Sequence, residues 1–106
     1  MKVQIIGIGL IGGSFALDIK SAFPEAEIFG SDADEQNLKK AKELVIIDHF
    51  SKMEDVQHAD VVLVAVPVDV ANKVVIEVLD LAGENTLVFD AGSTKSGLCK
   101  EIANHQ

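Results

Sequence analysis

Hydrophobic positions along this chain follow two rhythms that take turns. Short apolar runs carrying β-branched residues occur at 3–6, 26–30, 45–47, 59–66 and 86–90. Continuous runs of this kind predict strands covered on both faces, as in a parallel sheet. The run ADVVLVAVP at 59–67 is the clearest, and Pro67 breaks it. Between the runs, apolar residues recur at helical spacing. Ile11, Ala16, Leu17 and Ile19 predict a helix over 10–22, ended at Phe23 because the residue before a proline disfavours helical geometry. Leu38, Ala41 and Leu44 predict the buried stripe of a helix over 35–44, with Asp34 as its N-cap and Lys39, Lys40, Lys42 and Glu43 facing water. Residues 70–82 are rich in valine, which favours strand by propensity. Periodicity overrides it: Ala71, Val74, Val75, Val78, Leu79 and Ala82 recur at helical intervals, with Asp69 as cap and Gly83 as stop. Residues 48–58 read as a polar connection with a partial helical turn. Residues 91–96 read as a turn of small and hydroxyl residues, before a last helix from 94 or 95 towards 104.

Strands and helices therefore alternate, which predicts a parallel sheet with helices on both faces and right-handed crossovers. The 106 residues suit one compact domain, 1–106, without repeats or linkers.

Glycines give the first predicted turn its chemistry. Gly7, Gly9 and Gly12 fall in G-x-G-x-x-G spacing between the first strand and the first helix. Gly7 permits the tight turn, Gly9 lets a pyrophosphate approach the backbone, and Gly12 lets helix and strand pack closely. With Leu10 and Ile11 they form a candidate dinucleotide site at the helix N-terminus. The plainer alternative is an ordinary strand-to-helix turn. Asp32 lies 20 positions after Gly12, at the end of the predicted second strand, where an acidic residue accepts from ribose hydroxyls.

Charge narrows the partners. The net charge is −8, and the nine basic residues are all lysines. This argues against nucleic acid and against an anionic membrane surface. The lack of arginine also leaves nothing to receive a 2′-phosphate, so NAD is expected over NADP. The single cysteine, Cys99, suits a reducing, cytoplasmic compartment. The start of the chain reads as strand and turn rather than signal peptide, and no apolar run is long enough to span a membrane.

Three motifs together, GLIGGS (9–14), ADVVLVAVPVDV (59–70) and DAGSTKS (90–96), resemble the nucleotide-binding domain of the prephenate dehydrogenase family. The third is the most discriminating. The resemblance covers essentially the whole chain. It implies a Rossmann-type doubly wound parallel sheet in three α/β/α layers, truncated before the last strand and the C-terminal helical domain. It also implies oxidative decarboxylation of prephenate, or of arogenate, with hydride transfer to NAD in tyrosine biosynthesis. A histidine of the family takes the hydroxyl proton, as developing carbonyl character requires.

Residue by residue, the resemblance assigns Asp32 to the adenosine ribose and Val66 and Pro67 to the nicotinamide side. Ser93 would contact the reacting hydroxyl and the catalytic histidine, and Lys95 belongs to the same motif. The alternatives are a helix-capping Asp32, a strand terminator at Val66 and Pro67, an N-cap of the last helix at Ser93 or Thr94, and a solvated Lys95. His49, His58 and His105 lack the family's His-Pro-x-Ala-Gly setting and are expected on the surface; no metal site is expected. Val45 stands where the family often closes its helix with glycine, so that cap should differ. The implied whole protein is a homodimer acting on a small molecule, and these residues alone should bind cofactor with little or no turnover. Rival readings are another β-hydroxyacid dehydrogenase or pyrroline-carboxylate reductase relative, and a nucleotide-binding regulatory module without catalysis.

Overall fold

The computed structural model describes residues 1–44, 46–66 and 68–90, excepting the side chains of Leu10, Ile11, Val68, Asp69 and Ala71. Its elements alternate: β1 (Lys2–Ile6), α1 (Leu10–Ala22), β2 (Glu27–Ser31), α2 (Glu35–Glu43), β3 (His49–Phe50), a 3-10 helix (Met53–His58), β4 (Val61–Val64), α3 (Val68–Leu81) and β5 (Leu87–Asp90). All strand pairings are parallel, in the order β3-β2-β1-β4-β5. The order reverses direction beside β1. This is the doubly wound arrangement expected from the alternation, and its switch point lies at the carboxyl ends of β1 and β4.

Strand alternation sends the core to both faces. Val3, Ile5, Val61 and Leu63 pack with Phe15, Ala16 and Ile19 of α1 and Ala41 of α2. Ile6, Val62 and Val64 pack instead with Val56 of the 3-10 helix and Val78 of α3. Covered on both sides, β4 is wholly buried, as its unbroken apolar run predicts. Among the described residues Gln4 of β1 is the buried polar exception, and its side-chain amide donates to the Lys52 carbonyl at 3.0 Å.

Helix α1 matches its predicted bounds. Phe23 leaves helical geometry at φ −133°, ψ 79°, as a residue before proline must. Asp34 caps α2 by accepting from the Gln36 amide at 2.9 Å. At the other end Leu44 takes φ −85°, ψ 3°, and the Ile46 and Ile47 amides fold back onto the Ala41 carbonyl. The helix thus closes without a left-handed residue at Leu44.

Several expectations are corrected. The third strand is His49–Phe50, not 45–47, of which Val45 lies outside the described residues. Ile47 is instead a buried plug over Gly30, and pairing begins where the Asp48 amide reaches the Ile28 carbonyl at 2.8 Å. Leu44 and Leu79, expected on buried stripes, are each 59% exposed. Each helix covers its sheet face from one side only, so its apolar seam is narrower than its apolar sequence. Helix α3 begins two residues early, which puts Asp69 inside the helix rather than at its cap. The expected turn at 91–96, the last helix, Cys99 and His105 lie outside the described residues.

Asp48 ties this half of the fold together. Its carboxylate accepts from the Lys20 ammonium of α1 and from the Ile28 amide of β2, and its carbonyl accepts from Lys42 of α2. Burial pushes the Asp48 carboxyl up, but the Lys20 and Ile28 hydrogen bonds and the charges of Lys20 and His49 outweigh it. The group is held below its ordinary 3.8.

Candidate functional site

The site is built at the sheet's carboxyl edge by the turn between β1 and α1. Gly7 adopts φ +95°, a conformation open to glycine at little cost. A Cβ on it would lie 2.6 Å from the Ala65 carbonyl oxygen and 3.2 Å from Val66 Cγ1, so the end of β4 abuts the turn. A Cβ on Gly12 would lie 1.9 Å from the Gly7 carbonyl oxygen. Gly9 differs: a Cβ there would meet none of the described residues within 4 Å. Among the described residues the space over Gly9 is open, and Gly9, the N-cap of α1, has no side chain to cap the helix, whose first turn holds no acid. An uncapped helix N-terminus with an open backbone approach suits a phosphate group.

The end of β2 grips the same turn. The Gly7 amide donates to the Ser31 carbonyl at 2.7 Å. The Ile8 amide donates to Asp32 Oδ2 at 2.6 Å, and the Asp34 amide donates to Asp32 Oδ1 at 2.8 Å. Asp32 is therefore part of the turn's own hydrogen bonding, a role its spacing alone did not reveal. Ile8, Ser31 and Ala65 contribute to the geometry without belonging to the glycine spacing, which carries no signal for them.

Of the expected site residues, Gly7, Gly9, Gly12, Asp32 and Val66 come together at this edge. The backbones of Leu10 and Ile11 open α1 beside them. Pro67, Ser93 and Lys95 lie outside the described residues. His49 and His58 are exposed; His49 pairs with Glu27 at 3.2 Å and stacks on Phe29 at 4.8 Å between centroids. Among the described residues, no group of three or more histidines, cysteines or acids could hold a metal, and no helix is long and apolar enough to cross a membrane.

A glycine turn with an uncapped helix, joined to an acid at the end of the second parallel strand, defines a Rossmann-type nucleotide-binding domain. The chain belongs to a family of that class: the prephenate dehydrogenase nucleotide-binding domain matches residues 15–106. Prephenate dehydrogenase of Lactococcus lactis subsp. cremoris is 43% identical over 97% of this chain and 29% of its own length. That of Bacillus subtilis is 37% identical over 88% of this chain and 26% of its own. The structure of prephenate dehydrogenase from A. aeolicus, in complex with hydroxyphenyl propionate and NAD+, superposes with a TM-score of 0.76 at 28% identity, over 85% of this chain and 32% of that one. The chain thus spans about a third or less of the length of these relatives.

Proposed function

We propose that this chain is the NAD-binding domain of a prephenate dehydrogenase, an oxidoreductase that converts prephenate to 4-hydroxyphenylpyruvate with loss of carbon dioxide. The observation that carries this reading is the bond from the Ile8 amide to Asp32, which joins the glycine turn and the acid at one edge in a member of this family. The backbone at Gly7, Gly9, Leu10, Ile11 and Gly12 would receive the diphosphate, admitted by the open space over Gly9. Asp32 would accept from the adenosine ribose hydroxyls, and its charge would repel a 2′-phosphate that no arginine is present to offset. Val66 and Pro67 would border the nicotinamide side, a role supported by the contact of Val66 with the Gly7 position.

When bound, NAD supplies the hydride acceptor; the residues of this chain hold and orient it. The Ser93 hydroxyl, able to donate and accept, would bridge the reacting hydroxyl and a general base. Support for Ser93 comes from its motif, which follows β5 where Asp90 pairs with Val64 at the same edge. Residues 1–106 would form one domain of a cytoplasmic homodimer acting on a small molecule. The extra length of the relatives supports substrate and dimer contacts outside these residues.

Calorimetric titration with NAD and NADP tests the cofactor reading. NAD should bind at least about tenfold tighter, the lower end of what a hydrogen bond to a charged group contributes. Equal affinities would remove Asp32 from the ribose, and no binding of either would remove the cofactor. In a protein carrying the remaining domain, prephenate should drive NAD reduction; a response to arogenate alone would move the assignment to the sister substrate.

A further inference from the structure

Asp32 is engaged before any cofactor arrives. Its Oδ2 accepts from the Ile8 amide and its Oδ1 from the Asp34 amide. Ile8 stands between Gly7, at φ +95°, and Gly9, the N-cap of α1. Two successive turn amides, those of Gly7 and Ile8, are thus held by Ser31 and Asp32 at the end of β2. Gly9 completes the turn, and Gly12 and Gly13 follow in the start of α1, glycine being the residue type with the most backbone freedom to lose. A bond to an ionised carboxylate is short and strong for its kind, so it restrains this segment well.

We propose that Asp32 is a positioning residue for the glycine turn: by holding the Ile8 amide it sets the turn in its receiving shape in the free protein. This inference rests on the reading of the site as a dinucleotide site and deepens it. A carboxylate offers about four lone-pair positions, of which the two backbone amides take two. The remainder stay available to the ribose hydroxyls. One charge therefore serves both the shape of the turn and the recognition of the sugar. A turn that is competent only part of the time binds more weakly in proportion to that fraction, so loosening it lowers affinity for any cofactor using the diphosphate cradle.

The two roles separate when the ribose hydroxyls are removed from the ligand. The full chain and its Asp32→Asn variant are titrated with NAD and with the analogue of NAD whose adenosine lacks both ribose hydroxyls. The asparagine amide has one acceptor oxygen and presents donors on its other side, so it cannot accept from both backbone amides. A purely ribose-binding Asp32 makes the two proteins bind the dideoxy analogue equally. A positioning Asp32 makes the variant bind it weaker, by about fivefold or more, as the competent fraction falls. Amide hydrogen exchange in the cofactor-free proteins gives a second readout. In the unsubstituted chain the Ile8 amide should be protected like that of Ile6, and in the variant it should exchange at least tenfold faster while Ile5 and Ile6 stay protected. Free exchange of Ile8 in the unsubstituted chain, or equal affinity of both proteins for the analogue, overturns the proposal. Failure of the unsubstituted chain to bind NAD overturns the dinucleotide reading instead, and the Ile8 exchange rate still decides the positioning role.

Discussion

A methyl group added at Gly12 and one added at Gly9 should have opposite consequences. At Gly12 the new carbon would sit 1.9 Å from the Gly7 carbonyl oxygen, 3.0 Å from its carbon and 3.4 Å from Ile5 Cγ2, where ordinary contact begins at 3.4 Å. The obstacle is backbone, and it cannot retreat freely, because the Gly7 amide is bonded to Ser31. Helix α1 must then lift from the sheet, loosening Ala16 and Ile19, both fully buried. Overpacking costs about 1–3 kcal/mol and occasionally more, and a backbone overlap belongs at the upper end. For a domain of this size each kcal/mol lowers Tm by about 4–8 °C, so Gly12→Ala should melt roughly 12 °C or more below the unsubstituted protein. At Gly9 the same methyl meets nothing within 4 Å among the described residues, and φ is −82°, which alanine adopts freely. Gly9→Ala should stay within about 1 kcal/mol in stability while losing NAD affinity, since the methyl occupies the diphosphate approach. Circular dichroism melts without cofactor, paired with calorimetric titration of NAD, separate the two. A Gly12→Ala melt within two degrees of the unsubstituted protein, or equal destabilisation by both changes, would refute the reasoning.

Other expectations concern the frame around the site. Asp48→Ala removes the acceptor for Lys20 and for the amide of buried Ile28, and should cost about 1–3 kcal/mol in denaturant unfolding. The depressed Asp48 pKa means that its carboxylate stabilises the fold above the ordinary value of 3.8, and that this is lost as pH falls below it. The stability gap to Asp48→Asn should therefore be full near neutrality and close in acid; a gap that ignores pH would contradict the assignment. At Gly30 a Cβ would lie 2.9 Å from Ile47 Cγ2 and 3.0 Å from its Cδ1, so Gly30→Ala should destabilise by about 1–3 kcal/mol. In the Ile47→Ala background the same change should cost less by at least about 0.5 kcal/mol, and strict additivity in denaturant melts would mean that the two residues do not meet.

The parts of the fold readable from sequence are those set by neighbours along the chain. Gly9 and Pro24 bracket α1, and the start and end follow from local backbone sterics. The unbroken apolar run of β4 announces a strand with no solvent face. Asp34 announces a helix start because its side chain reaches only the next amides. The glycine spacing and the distance to Asp32 were legible for the same reason: each marks a local turn or strand end.

What tertiary structure alone decided depends on which element comes to lie beside which. The triplet at 45–47 has strand composition, yet Ile47 became a plug because a glycine at position 30 leaves a hollow for it. The short edge strand fell to His49 and Phe50, since pairing needs the Asp48 amide to reach the Ile28 carbonyl. Leu44 and Leu79 carry the right periodicity but stand beyond the area that a sheet face can cover. In the site, the spacing of Gly7, Gly9, Gly12 and Asp32 identifies the components. That Asp32 holds the Ile8 amide follows only once β1 and β2 pair in register, Ile6 beside Ser31, because only then do residues 24 apart in sequence come within hydrogen-bond reach.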